Sequence, residues 1–414
     1  MAHAGSPAQD DGTLATRRRS MATNASPDLS MPASIPTPLA DAPLLLVGAG
    51  HAHLHLVSQR ARLPMPRVML LDPGGFWYSG MAGGVLGGQH SPAADRLEPM
   101  ALARRHGVEG LRGRLAGLDP DRYEALLDDG RRLAVSAVSL NLGSTVNTPP
   151  AHPEGPDIWP VKPIPRLVAL RHRLAHDFAA GKCPRLLVAG GGASGVEVAC
   201  QLRALADRHG VDPTIRLLTR SSDLLPGAPR GAVRWLHRRL VQRRIAVETG
   251  LALVGHLPGG SMATPPNQPP SEDNAHFIPA DHVIHAVGLA PPTLLERLGL
   301  PIIPGRGLAV TDTLQSPALP WVFAAGDCAA MIDHELPRLG VYGVRQAPVL
   351  LDNLAAWWHG EALRPYRPQS RALSILDLGR RQALAMRGGA WWGGRLAWYW
   401  KRRLDERFLT GYRC

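Results

Sequence analysis

The feature that most constrains this chain is a strand, a glycine loop and a helix that recur as a unit. Leu186-Leu187-Val188-Ala189 is a short apolar run, and Gly190-Gly191-Gly192-Ala193-Ser194-Gly195 follows it directly. Gly190, Gly192 and Gly195 complete a G-x-G-x-x-G fingerprint ahead of a helical stretch that reaches about Arg208. The first glycine permits a tight turn, the second lets backbone approach a pyrophosphate, and the third packs helix against strand. The helix start then offers unpaired N–H groups and the positive end of its dipole to the phosphates. In this context the match is specific for a dinucleotide.

The same unit stands about 140 residues earlier in the chain, as a weak internal repeat. Leu44-Leu45-Leu46-Val47 leads into Gly48-Ala49-Gly50-His51-Ala52-His53. Gly48 and Gly50 take the first two roles, and His51 opens the helix against the phosphates. The third glycine is replaced by His53, so the helix is expected to sit slightly off the strand, or His53 to fill a local gap. Asp72 closes the next strand, 22 residues after Gly50, where a carboxylate accepts hydrogen bonds from an adenosine ribose. His51, His53 and His55 read as H-x-H-x-H, but only His51 and His55 share a helical face. With phosphates competing for that face, no metal site is expected.

At the corresponding point of the second unit the strand ends in Thr219, followed by Arg220. Arginine there meets a 2′-phosphate, which leans towards NADPH. Arg220 is also simply one of 46 lysines and arginines, so NADH and NADPH both stay open.

The 414 residues carry a net charge of +12, with arginine spread in short clusters rather than gathered on one module. No helix-turn-helix, zinc-knuckle or RNA-binding signature accompanies it, so nucleic acid is not an expected partner. The four cysteines, Cys183, Cys200, Cys328 and Cys414, form no C-x-x-C pair. A reducing cytoplasm is the expected compartment. No apolar run is long enough to span a bilayer. Residues 1–42, rich in Ala, Ser and Pro, are expected to be a disordered tail. Arg17-Arg18-Arg19 lacks a following apolar stretch, and Met21 and Met31 are alternative starts.

Trp321-Val322-Phe323-Ala324-Ala325-Gly326-Asp327 is a further strand closing on Gly-Asp. With the two glycine loops, it makes the chain resemble the two-dinucleotide-domain flavoproteins. These include glutathione reductase relatives, type II NADH dehydrogenases and sulfide:quinone oxidoreductases. The resemblance implies an α/β fold: two Rossmann-like dinucleotide-binding domains, a glutathione-reductase-type FAD domain with an inserted NAD(P) domain, plus a C-terminal helical segment. The expected boundaries are 43–160 and 285–360 for FAD, 161–284 for NAD(P), and 361–414 for the last segment. Asp327, after Gly326, takes the family role of bonding the ribityl chain. Leu142-Gly143-Ser144 and Ala286-Val287-Gly288 look like the two strand-to-crossover motifs. Gly48–Leu54, Tyr78–Met81, Val161–Ile164, Gly340–Gln346 and Lys401–Phe408 are similar to one subgroup, the FAD oxidoreductases associated with selenide, water dikinase.

Disulfide reduction is disfavoured, because the first unit has no cysteine before Cys183. By resemblance, Glu197 approaches the flavin and the nicotinamide or acceptor site. A helix-start carboxylate favoured by the dipole is the plainer account. Lys162, in the linker, is placed to stabilise anionic reduced flavin. Gln346 and Arg345 precede a late helix; the resemblance implies that this region lines the flavin ring and acceptor site, with Tyr78–Met81 as another wall of that pocket. The segment with Trp391, Trp392, Trp398, Trp400 and Arg395, Lys401, Arg402, Arg403 suits a membrane interface. Packing on the body or on a second subunit of a homodimer suits it equally. The expected function is hydride transfer from NADH or NADPH to FAD and on to a quinone or similar small acceptor, in the cytoplasm or at the inner face of the cell membrane. A soluble reductase or oxidase of a selenium or sulfur substrate, or a flavin-binding regulator, are the alternatives.

Overall fold

A computed structural model describes residues 41–413. The expected tail lies outside these residues except for its last two, as do Arg17–Arg19, Met21, Met31 and Cys414.

Along the chain, β1 (Leu44–Val47) runs into α1 (His51–Ser58), β2 (Val68–Asp72), α2 (Ser79–Leu86), β3 (Glu109–Arg112) and β4 (Ala137–Leu140). Then come β5 (Asp157–Pro160), α3 (Pro165–Ala179), β6 (Leu186–Ala189), α4 (Ala193–Arg208), β7 (Ile215–Thr219), α5 (Arg230–Gln242), β8 (Ile245–Thr249) and β9 (His282–His285). The chain returns through β10 (Val322–Ala324) and α6 (Gly340–Trp358), and ends in β11 (Leu373–Asp377), β12 (Ala383–Arg387), β13 (Ala390–Gly394) and α7 (Arg395–Thr410).

β1 and β6 are continuous apolar runs, and they, with β4 and β9, are buried along their whole length. Such runs belong to parallel sheets covered on both faces. Two five-stranded parallel sheets result, in the orders β10-β4-β1-β2-β3 and β5-β9-β6-β7-β8. Their registers correspond. Leu44 pairs with Val68 and Ala137, while Leu186 pairs with Ile215 and His282. Asp72 in the first sheet therefore matches Thr219 in the second, and Asn141 matches Ala286. Each sheet has its own core, and strands β4 and β10 pair with each other across the inserted second unit.

Several expectations need correction. The glycine-rich stretch 74–88, whose composition suggests a loop, contains a short strand at Phe76–Trp77 and the helix α2. Met81, Ala82, Val85 and Leu86 are buried there, and the glycines let the helix lie close to α4: a Cβ on Gly83 would stand 3.3 Å from Glu197 Oε1. Strands 252–257, 260–264 and 276–279 form an antiparallel sheet, with an irregular proline-containing loop at 265–275 between the last two. The late helix begins at Gly340 and runs through Pro348, so Arg345 and Gln346 lie within it rather than before it. The last segment is not wholly helical: β11, β12 and β13 form an antiparallel meander before α7. Leu376, Leu378 and Leu384 of that meander pack into the second unit's core. β5 pairs with β9, so the second sheet takes its edge strand from just before residue 161.

Candidate functional site

The first glycine loop is folded tightly against β4. Gly48 has φ +84°, and a Cβ there would lie 2.7 Å from Asn141 O; one on Gly50 would lie 2.2 Å from Asn141 Oδ1. Asn141 Oδ1 accepts from Ala52 N at 3.0 Å and His53 N at 3.3 Å, capping α1, while its Nδ2 donates to Ala325 O at 2.6 Å. Asp72 Oδ2 accepts from Ala49 N at 2.8 Å and its Oδ1 from Gly74 N at 2.9 Å. Burial pushes the Asp72 carboxyl up, and the two amides oppose it. His53 fills the gap left by the missing third glycine. It is fully buried, with Nδ1 2.6 Å from Gly48 O and Nε2 2.8 Å from Ser139 Oγ. Burial holds it neutral, with a pKa of about 4.

The crossover ends meet beside this loop. Thr145–Val146 pairs with Leu289–Ala290, which brings Gly143 (φ +74°) and Gly288 to one junction. There Lys162 Nζ donates to Asp327 Oδ2 at 2.9 Å and to Ser144 Oγ at 2.7 Å, and Ser144 Oγ donates to the same carboxylate oxygen at 2.6 Å. Burial raises the Asp327 carboxyl, but Lys162 and Ser144 more than offset it, so it stays below the usual carboxylate value. Gln346 does not face open space: its Oε1 accepts from Gly326 N at 2.7 Å and fixes the turn before Asp327. Arg345 is exposed. His51 is ringed by Phe76, Tyr78 and Phe408, with centroids 5.2, 5.8 and 5.2 Å away, and desolvation lowers its pKa to about 4.

In the second loop, Gly190 has φ +125°, and a Cβ there would lie 2.3 Å from Ala286 O. A Cβ on Gly195 would lie 1.7 Å from Gly190 O. Gly192 has nothing within 4 Å of such a position, and no side chain caps α4. Ala286 stands where the first unit has Asn141, so this helix start is left open. Arg220 is exposed at the end of β7.

Glu197, on α4, sits in a polar cluster built largely from residues at the far end of the chain. Its Oε1 accepts from Asp377 N at 2.9 Å. Lys401 donates to Asp405 Oδ2 at 2.8 Å and to Gly80 O, and Tyr78 OH donates to Asp405 Oδ1 at 3.0 Å. Desolvation pushes the Glu197 carboxyl up to about 7 against the pull of Lys401. Burial alone lowers Lys401, but Asp405 and Glu197 hold it above its ordinary value. Asn141, Asp377 and Asp405 are not among the residues the sequence singles out. The one available signal was a polar residue closing a buried strand, as Asn141 does.

His51, Glu197 and Asp327 keep some accessible surface although protein surrounds them almost completely. An open helix start at Gly192, a carboxylate at Asp72 and a lysine-held carboxylate at Asp327 fit a pair of dinucleotides in chemistry. Among the described residues the thiols are free: Cys183 is exposed, and Cys200 and Cys328 are buried and pushed up to about 11 and 12 by desolvation. Among the described residues no group of three His, Cys, Asp or Glu is placed to hold a metal ion.

Comparison with known proteins agrees with this architecture. An FAD-dependent oxidoreductase of Flammulina velutipes is 23% identical over 271 residues, covering 65% of this chain and 77% of the fungal protein. The sulfide:quinone oxidoreductase of Aquifex aeolicus superposes with a TM-score of 0.77 at 15% identity, over 90% of this chain and 91% of its own. NDH2 of Plasmodium falciparum, solved with NADH, gives 0.74 at 14% identity, over 90% and 97%. At these identities the two structures speak for the fold alone. The family model for pyridine nucleotide-disulphide oxidoreductases matches residues 42–347, from the strand before the first glycine loop to the helix that holds Gln346, and the chain belongs to that family.

Proposed function

We propose that the protein carries FAD on the first unit, takes hydride from NADH or NADPH held on the second, and passes the electrons to a quinone or similar small acceptor. Bound FAD supplies the two-electron chemistry; the protein binds, orients and manages protons. Gly48, Gly50 and the His51 amide line the pyrophosphate path, Asp72 takes the adenosine ribose, and Gly143, Gly326 and Asp327 hold the ribityl side. Gly190, Gly192, Gly195, Arg220 and Gly288 serve the nicotinamide nucleotide. Lys162, tied to Asp327, places a cation at the junction of the two units, where it favours negative charge on a reduced cofactor. Gln346 acts by fixing Gly326.

The observation that carries the reading is Glu197, with a carboxyl poised near pH 7 between the two nucleotide units. A group half protonated at neutral pH both accepts and donates a proton readily, which reduction of a quinone requires. The Lys401–Asp405 pair beside it belongs to the inner face of α7. The outer face of that helix exposes Leu396, Tyr399, Trp400 and Leu404, with Trp392 stacked on Trp400 at 5.2 Å and Arg395, Arg403 and Arg407 around them. Apolar and aromatic residues ringed by arginine favour an anionic lipid interface, where a lipid-soluble acceptor is concentrated. Among the described residues no helix is long and apolar enough to cross a membrane.

The test is anaerobic titration of the purified holoprotein. Addition of NADH or NADPH bleaches the flavin within seconds, and a short-chain quinone restores its colour. A flavin that neither nucleotide bleaches overturns the reading.

A further inference from the structure

The two sheets share one register, and the position that is Asp72 in the first is Thr219 in the second. Thr219 is buried, its Oγ1 accepts from Ser221 N at 3.3 Å, and its side chain lies against Gly191. No carboxylate thus stands at the end of β7 to accept from a ribose 2′-hydroxyl or to repel a 2′-phosphate. The chain then folds back, with Leu225 N donating to Gly191 O at 2.8 Å, so residues 221–225 wrap around the glycine loop.

Against this wrap lies a cavity of about 400 Å³, lined by Ser221, Ser222, Asp223, Arg230 and Arg234 among others. Arg230 and Arg234 lie one turn apart on α5 and share a face. Some arginines of this unit are paired, Arg203 and Arg244 with Asp212, Arg216 with Glu248, and Arg185 with Asp281, while Arg208, Arg238, Arg239 and Arg243 lie outside the cavity wall and have no carboxylate within 4.0 Å among the described residues. Among the described residues Arg220, Arg230 and Arg234 have no carboxylate within 4.0 Å. Asp223, the one acid in the cavity wall, is occupied by His237 Nε2 at 2.7 Å and Leu224 N at 2.7 Å. Unpaired guanidinium groups beside two hydroxyls, in a cavity that adjoins a dinucleotide turn, are chemistry for a phosphate monoester.

We propose that this cavity is a 2′-phosphate site and that the coenzyme is NADPH, with Arg230 and Arg234 as the main anion ligands, Arg220 at the rim, and Ser221 and Ser222 as hydroxyl donors. The proposal rests on the reading of Gly190–Gly195 as a nicotinamide-nucleotide loop. It adds Arg230 and Arg234, which lie outside any glycine fingerprint and line the cavity from the first turns of α5.

The test is calorimetric and independent of turnover. The FAD-loaded protein is titrated with 2′,5′-ADP and, separately, with 5′-AMP. The expected result is tighter binding of 2′,5′-ADP by about tenfold or more, about 1.4 kcal/mol, with a difference that shrinks as salt is raised. The Arg230→Gln/Arg234→Gln variant keeps helix-forming residues at exposed positions, so its melting temperature is expected to match the parent. In it the loss is confined to 2′,5′-ADP, whose affinity falls to that of 5′-AMP. Equal affinities in the parent, or a variant that loses both ligands alike, overturn the 2′-phosphate site while leaving the nucleotide loop intact. Failure of both ligands to bind the parent overturns the loop reading and this inference together.

Discussion

Lys162 Nζ and Asp327 Oδ2 meet at 2.9 Å across 165 residues of sequence, and with Ser144 they tie the junction of the two units together. The side chains are only 21% and 14% exposed, so neither charge has water enough to stand alone comfortably. Lys162→Met removes the cation and leaves Asp327 partly buried without its partner. The expected outcome is a stability loss on the order of 2 kcal/mol in urea unfolding. FAD titration of the apoprotein should weaken at least severalfold. A variant with parental stability and parental FAD affinity would show that the pair is incidental.

Glu197 sets a pH dependence whose sign is fixed by burial. Its carboxyl is raised from 4.5 to about 7 in the folded chain. The folded state therefore holds a proton that the unfolded state releases between these values. Stability from this group is full below pH 4.5 and is lost as pH rises through 7. At about 1.4 kcal/mol per unit, the penalty at pH 8 is on the order of 3 kcal/mol. Glu197→Gln keeps an acceptor for Asp377 N but has no charge to bury. Thermal melts of the variant should lose this slope between pH 5 and pH 8, and the variant should exceed the parent at pH 8. If the two proteins melt with the same pH profile, Glu197 is not a buried acid.

Gly195→Ala separates the two nucleotides. Its Cβ would fall 1.7 Å from the backbone carbonyl of Gly190, which no side-chain rotation relieves. The loop must open and the start of α4 must shift. The expected outcome is loss of bleaching by NADH and NADPH while dithionite still bleaches the flavin and FAD content is retained. Loss of FAD in the same variant would argue against separate cradles.

The outer face of α7 is testable without touching the Glu197 cluster. Leu396 is 81% and Leu404 is 40% exposed. Leu396→Glu/Leu404→Glu should change stability by less than about 1 kcal/mol, because surface substitutions of this kind are usually near neutral. Flotation with anionic vesicles should fall severalfold, while bleaching by nicotinamide nucleotide in solution persists. Flotation equal to the parent's would sink the lipid-facing reading of this helix.

The glycine loops, Asp72 and the Gly326–Asp327 turn were legible because each is a local device: a turn that tolerates no Cβ, or a carboxylate at a fixed distance from it. The meander after residue 372 was also locally encoded. Gly388, at φ +59°, and Gly389 make a two-residue turn between strands that pair Arg387 with Ala390. That hairpin signal was masked by tryptophan and arginine, which suit a surface helix as well as an exposed sheet. What no local pattern carries is the company a residue keeps. Lys162 meets Asp327, Tyr78 meets Asp405, and Glu197 meets Asp377, each across more than 160 positions. For Glu197 the resemblance implied a place at the flavin, but no local pattern showed that α2 and the last 40 or so residues close around it and desolvate it.

The side chain of Asn141 bonds α1 through its oxygen and Ala325 through its nitrogen, and β10 completes the sheet in which β4 lies. During synthesis those partners leave the ribosome far apart in time. The coenzyme unit, contiguous from Asp157 to His285, has all its strands before Ala325 exists. The flavin unit begins first and must finish second. Until then β4 carries an unpaired edge, which invites aggregation while the final third of the chain is emerging.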